Sequence, residues 1–120
     1  MSKKFTDFEI CFYERIVRER PDYGDALILL AEAYTARGDY AKGLSVDLTL
    51  ARLYPHDANV HYNLACSLAL VGRKDESFDA IRRAIELGYR DFHHLKKDAD
   101  LKSLHDDARF DELIHKSIKA

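Results

Sequence analysis

The run Leu30-Ala31-Glu32-Ala33-Tyr34, closed by Gly38, returns as Leu64-Ala65-Cys66-Ser67-Leu68, closed by Gly72, and the two copies stand 34 residues apart. Pro21 and Pro55 keep the same spacing, and a third step lands on Tyr89, next to Gly88. A fixed period of this length marks a chain built from stacked supersecondary units, each too small to bury its apolar face alone.

Each unit reads as two helices. In helix A, Leu27, Leu30, Ala31 and Tyr34 stand at i, i+3, i+4 and i+7, and His61, Leu64, Ala65 and Leu68 stand likewise, which places each set on one face. Gly38 and Gly72 follow the last periodic residue, where a left-handed cap conformation costs glycine little. A second amphipathic run follows: Leu44, Leu48 and Ala51 in one unit, Phe78, Ile81, Ala84 and Ile85 in the next. It ends at Pro55 or at Gly88 and forms helix B, antiparallel to A across a short turn. Small residues (Ala31, Ala65, Gly43, Ser77, Ala84) fall where the axes must cross at about 8–10 Å.

Working outward, the chain has 120 residues, 47% hydrophobic and 33% charged, with 19 Lys and Arg against 21 Asp and Glu. That is enough for one domain with a core that needs no metal or disulfide. No apolar run reaches the length of a membrane helix, and Asp7 and Glu9 stand where a signal peptide needs an apolar stretch. A cytoplasmic protein is expected, with no membrane partner. Cys11 and Cys66 form no CxxC pair and read as reduced packing residues. None of the stretches 1–22, 23–57, 58–91 and 92–120 holds more bases than acids, which argues against the clustered positive field a nucleic-acid partner requires.

Taken together, the 34-residue period, Leu30-Ala31-Glu32-Ala33-Tyr34, Gly38-Asp39-Tyr40 at the turn and Pro55 resemble the tetratricopeptide repeat family, in particular its small bacterial members. Tyr62-Asn63-Leu64-Ala65, Gly72 and Ala84-Ile85-Glu86-Leu87 carry the resemblance in the second unit. It implies an all-α fold of antiparallel helix-turn-helix repeats wound as a right-handed solenoid with capping helices at both ends. Within a single domain, 1–22 resembles the B helix of a half repeat, 24–57 and 58–91 are the repeats, and 92–120 is a partial repeat with a C-terminal cap. Departures from the family pattern are Asp47, where a large apolar residue is usual, and Leu50, where a small one is. Asp47 is expected either to be buried with a partner or to be turned by a local rotation of helix B, because an unpaired buried carboxylate costs several kcal/mol.

If the units stack as the family's do, their A helices line a groove that holds a peptide or helical segment of another protein, and the protein acts as a scaffold or adaptor. The resemblance places Asp25, Ile28, Glu32, Thr35 and Ala36 there from the first repeat, and Asn59, Tyr62, Cys66, Ala69 and Leu70 from the second. His93, Lys96 and Lys97 are the partial third repeat's contribution. Members that clamp the carboxylate tail of heat-shock chaperones carry cationic and amide residues at such sites. Asn63, His93 and Lys97 fall near them, but Ile28 and Glu32 replace the first-repeat pair, and Glu32 would repel a carboxylate. The alternative within binding is a small chaperone for a secreted or unstable client, dimerising through its N-terminal helix. On that helix Phe5, Phe8, Phe12 and Ile16 form a stripe expected to cover the first repeat, leaving Ile10, Tyr13 and Val17 as a self-association surface.

Chemistry of its own is the weakest reading. None of the six histidines (His56, His61, His93, His94, His105, His115) pairs at the spacing of a helical zinc site. Cys66 and His61 diverge by about 140° around a helix, too far for nucleophile and base to meet. There is no glycine-rich phosphate loop. No catalytic residue, metal or cofactor is expected, and a role as an enzyme subunit is kept only as a third possibility.

Overall fold

The structure, a computed structural model, describes residues 5–119. The first four residues of the N-terminal segment and residue 120 lie outside them. The described residues are all-α, with no strand: α1 Asp7–Glu19, α2 Gly24–Ala36, α3 Tyr40–Leu53, α4 Ala58–Leu70, α5 Lys74–Glu86, α6 Phe92–Lys97, α7 Lys102–His105 and α8 Ala108–Lys119, with a 3-10 turn at Ala99–Leu101 before α7. Where one domain is expected, contacts divide the chain into two compact units that part between Pro55 and His56. The division falls between the two hairpins because each helix packs chiefly on its neighbours in sequence.

In the first unit α2 and α3 form the hairpin and α1 packs on α2. In the second, α4 and α5 form the hairpin, the 3-10 turn and α7 lie on α4, and α8 packs on α5. Both hairpins turn by the same device. Gly38 (φ 81°) and Gly72 (φ 85°) hold the left-handed conformation, and the amides of Asp39 and Arg73 reach back to the carbonyls of Tyr34 and Leu68 at 2.9 Å. These bonds satisfy carbonyls that a helix end leaves open.

Helix B buries the same positions twice. Gly43, Leu44, Val46, Asp47 and Leu50 are buried in α3, and their partners 34 residues on, Ser77, Phe78, Ala80, Ile81 and Ala84, are buried in α5. This corrects the stripe expected in α3: Leu48 is 46% exposed and Ala51 only half-buried. Asp47 stays in register with Ile81, and its carboxylate is buried with a polar interaction rather than turned to solvent. Close approach explains the small residues. A Cβ on Gly43 would stand 3.0 Å from Thr35 Oγ1, and Ser77 Oγ donates to the Ala65 carbonyl at 2.7 Å.

The N-terminal segment buries Phe5 and half-buries Ile16, two members of the expected stripe, but turns the other two outward. Phe8 is 79% and Phe12 51% exposed, their rings stacked at 6.4 Å, while Ile10, Tyr13 and Val17 are half-buried. Polar anchors set this rotation: Tyr34 donates to Glu14 at 2.5 Å, and Arg37 reaches both the Phe5 carbonyl (2.8 Å) and Asp7 (2.6 Å). Cys11 lies exposed on this helix rather than packed, and both cysteines are free.

At the other end, Arg109 draws α8 toward α5 by donating to Asp75 at 2.8 Å and to Asp107 at 3.0 Å, with its guanidinium over the Phe78 ring. Those hydrogen bonds hold the Asp107 carboxyl well below the usual carboxylate range.

Ala65 is fully buried at the α4–α5 crossing. Substituting Ala65→Leu forces a larger side chain between the helices and is expected to cost about 1–3 kcal/mol, read as a lower urea midpoint with unchanged cooperativity. An unshifted midpoint would show that the crossing lies elsewhere.

Candidate interaction faces

Within the first unit the outer face of α2 carries Asp25, Ile28, Glu32, Thr35 and Ala36. Asp25, Glu32 and Ala36 are exposed, Ile28 is 40% exposed, and Thr35 is half-buried because its hydroxyl sits against Gly43. The helix is fixed from behind by Ala26, Leu27, Leu30, Ala31, Ala33 and Tyr34. Burial, reinforced by the hydrogen bond to Glu14, pushes the Tyr34 hydroxyl well above its ordinary pKa and keeps it a donor. The face thus joins one apolar contact to two carboxylates on a rigid support.

Three equivalent positions of α4 look different. Ile28, Glu32 and Thr35 correspond to Tyr62, Cys66 and Ala69, and all three of the latter are buried. They were expected to meet a partner. The chain's own segment after α6 lies there instead: the 3-10 turn and α7 pack on α4, with Leu101 and Leu104 fully buried. Asp98 is its pivot. Its Oδ1 accepts the Asp100 amide at 3.0 Å, capping the turn. Its Oδ2 accepts the Tyr62 hydroxyl at 2.5 Å and the Cys66 thiol at 3.7 Å, with His94 Nε2 at 3.3 Å from the same oxygen.

Electrostatics keep the donors of this cluster protonated. Burial first, then Asp98 and Asp100, pushes the Cys66 thiol far above its ordinary pKa, so it stays protonated and donates. Tyr62 is pushed up likewise, by burial above all. Asp100 is raised by burial and by Asp98. The donor atoms of Cys66, Asp98 and Asp100 lie within 4.8 Å of one another, a spacing a cation could bridge, and the hydrogen bonds to Asp98 account for that proximity.

Beside this cluster opens a cleft of about 590 Å³ bounded by the start of α4, the α5–α6 turn and α6. Tyr89 stacks on Tyr62 with centroids 4.5 Å apart, and the His94 ring tilts against Tyr62 at 5.7 Å. Arg90 is folded back onto the Ile85 and Tyr89 carbonyls at 2.8 Å each, while Asn59 and Asn63 line the opposite wall and are exposed.

Of the expected binding residues, then, Asn59, Tyr62 and Asn63 gather at the cleft, and Asp25, Ile28 and Glu32 form the open α2 face. Cys66 is bonded to the chain's own Asp98, Ala69 is buried, Leu70 is half-buried, and His93 and Lys97 are exposed on α6. Sequence reading missed Asp98 and Tyr89. Asp98 carried a signal: it stands 34 residues after Leu64, where the repeat calls for leucine.

No protein-family model matches the chain. It is similar to a chloroplastic protein of Arabidopsis thaliana, 33% identical over 61 residues, a match that takes in 50% of this chain and 18% of that protein. The chain therefore spans less than a fifth of that relative's length.

Asp98→Ala removes an acceptor for two buried donors and is expected to cost about 2–3 kcal/mol. In a Cys11→Ser background the same change should speed modification of Cys66 by a thiol reagent, because the cover over α4 loosens. Unchanged stability together with unchanged Cys66 reactivity would show that Asp98 is not the pivot.

Proposed function

We propose that the protein is a tetratricopeptide-type interaction module, an adaptor without chemistry of its own, and that a segment of another protein docks on the outer face of α2. The observation that carries this reading is the contrast between equivalent positions. At Tyr62 and Cys66 the chain's own segment is bonded through Asp98, whereas at the equivalent positions Ile28 is 40% exposed and Glu32 is exposed. A rigid helix with an exposed aliphatic side chain flanked by fixed charges suits recognition of a helical segment, apolar contact supplying affinity and charge setting register. The protonated Cys66 thiol supports the non-enzymatic part of the reading.

A photo-crosslinking residue at Ile28 is expected to capture a defined partner that the same residue at exposed Leu48 does not. Ile28→Asp should abolish co-purification of that partner with helicity unchanged. Capture that is equal from both positions, or indifferent to Ile28→Asp, would overturn the reading.

A second reading, a small chaperone that pairs with itself through the N-terminal helix, is favoured by the exposed Phe8–Phe12 stack rather than by Ile10, Tyr13 and Val17. Light scattering distinguishes it: that reading expects a dimer which Phe8→Ser with Phe12→Ser converts to monomer, and a monomeric wild type removes it.

A further inference from the structure

Resting on the interaction reading, we infer that the segment fitting the α2 face is a short helical turn of the pattern basic-x-x-aliphatic-x-x-aliphatic, and that the chain's own residues 98–104 display its template.

The second unit shows how a face of this repeat is covered. Asp98, Leu101 and Leu104 recur every three residues, so they share one side of the 3-10 turn and α7. Both leucines are fully buried, and the anchor Asp98 takes its hydrogen bonds from Tyr62 and Cys66. An acidic anchor fits because α4 presents two donors at these positions.

The first unit offers the two equivalent positions without those donors. Ile28 has no donor where Tyr62 has its hydroxyl, and Glu32 is an acceptor with a full negative charge where Cys66 donates its thiol. Asp25 adds a second exposed acid one turn earlier. A segment bearing aspartate at the anchor would bring like charges together. One bearing lysine or arginine would place a cation opposite Glu32 and its alkyl stem against Ile28. The partner is thus a basic amphipathic turn, and not the tail of a second copy of this chain, whose anchor is acidic.

The test uses the full chain and two synthetic peptides spanning residues 96–107, one native and one with Asp98→Lys. Binding is read by fluorescence anisotropy and by amide shifts in nuclear magnetic resonance spectra. The lysine peptide is expected to shift amides along α2 and to bind about fivefold tighter than the native one. Glu32→Lys should reverse that order, and Ile28→Asp should abolish binding of both. Equal affinities, tighter binding of the native peptide, or shifts confined to residues 56–119 would overturn the inference. If neither peptide binds while the crosslinker at Ile28 still captures a partner, the template is wrong and the interaction reading stands. If that crosslinker also captures nothing, both fall.

Discussion

The two hairpins depend on one constraint: their helices approach so closely that nothing larger than a hydroxymethyl group fits at the crossing. Gly43 meets Thr35 with no room for a Cβ at ordinary contact distance, and Ser77 fills the equivalent space only by bonding to the Ala65 carbonyl. Once that distance is fixed, it favours the rotation of helix B that sets Gly43 and Ser77 at the crossing, because the neighbouring Leu44 and Phe78 would not fit there. This is why Asp47 is buried. Its register is imposed by Gly43 one turn earlier, and the carboxylate is accommodated by a polar interaction instead of rotating the helix out. The glycine-capped turns do the rest, stopping α2 and α4 at equivalent points so that each crossing recurs in the same place.

Which parts of this were legible in the letters follows from the same physics. The period, the helix pairs and the glycine stops were legible because each rests on local backbone chemistry that residue type reports directly. The rotation of α1 was not. Both of its faces are apolar, Phe5, Phe8, Phe12 and Ile16 on one and Ile10, Tyr13 and Val17 on the other, and hydrophobicity alone favours the more aromatic stripe. Polar contacts distant in sequence decide it, since Glu14 receives the Tyr34 hydroxyl and Arg37 ties down Phe5 and Asp7. Leu48 misled for a related reason. Its spacing from Leu44 suits a helical stripe, but it corresponds to Arg82, an exposed position of α5, and the repeat overrides the local pattern.

The binding residues divide along the same line. The family resemblance placed Asp25, Ile28 and Glu32 together, and the structure leaves them open. It placed Tyr62, Cys66 and Ala69 together as well, but could not see that the chain would return over them. That return begins where the repeat fails. A leucine at position 98 would continue the apolar stripe of a third A helix; the aspartate there cannot, so α6 stops at Lys97 and the carboxylate finds donors on α4. A single departure from the pattern, trivial as a mismatch in an alignment, redirects the last part of the chain.

That redirection also separates the two faces chemically. Donors at Tyr62 and Cys66 favour an acidic anchor, whereas the carboxylate of Glu32 disfavours one, so a segment suited to the first face is unsuited to the second. The mismatch matters because the two surfaces share the same spacing and would otherwise compete for the same segment. Residues 98–104 are tethered to the hairpin they cover, at an effective concentration no free segment matches. With Tyr62 and Cys66 committed to Asp98, the α4 face is filled by construction. The α2 face keeps its selectivity through the repulsion that Glu32 exerts on acidic segments of this same shape. Specificity in this molecule is therefore written less in the repeat than in the two places, Glu32 and Asp98, where equivalent positions of the repeat part company.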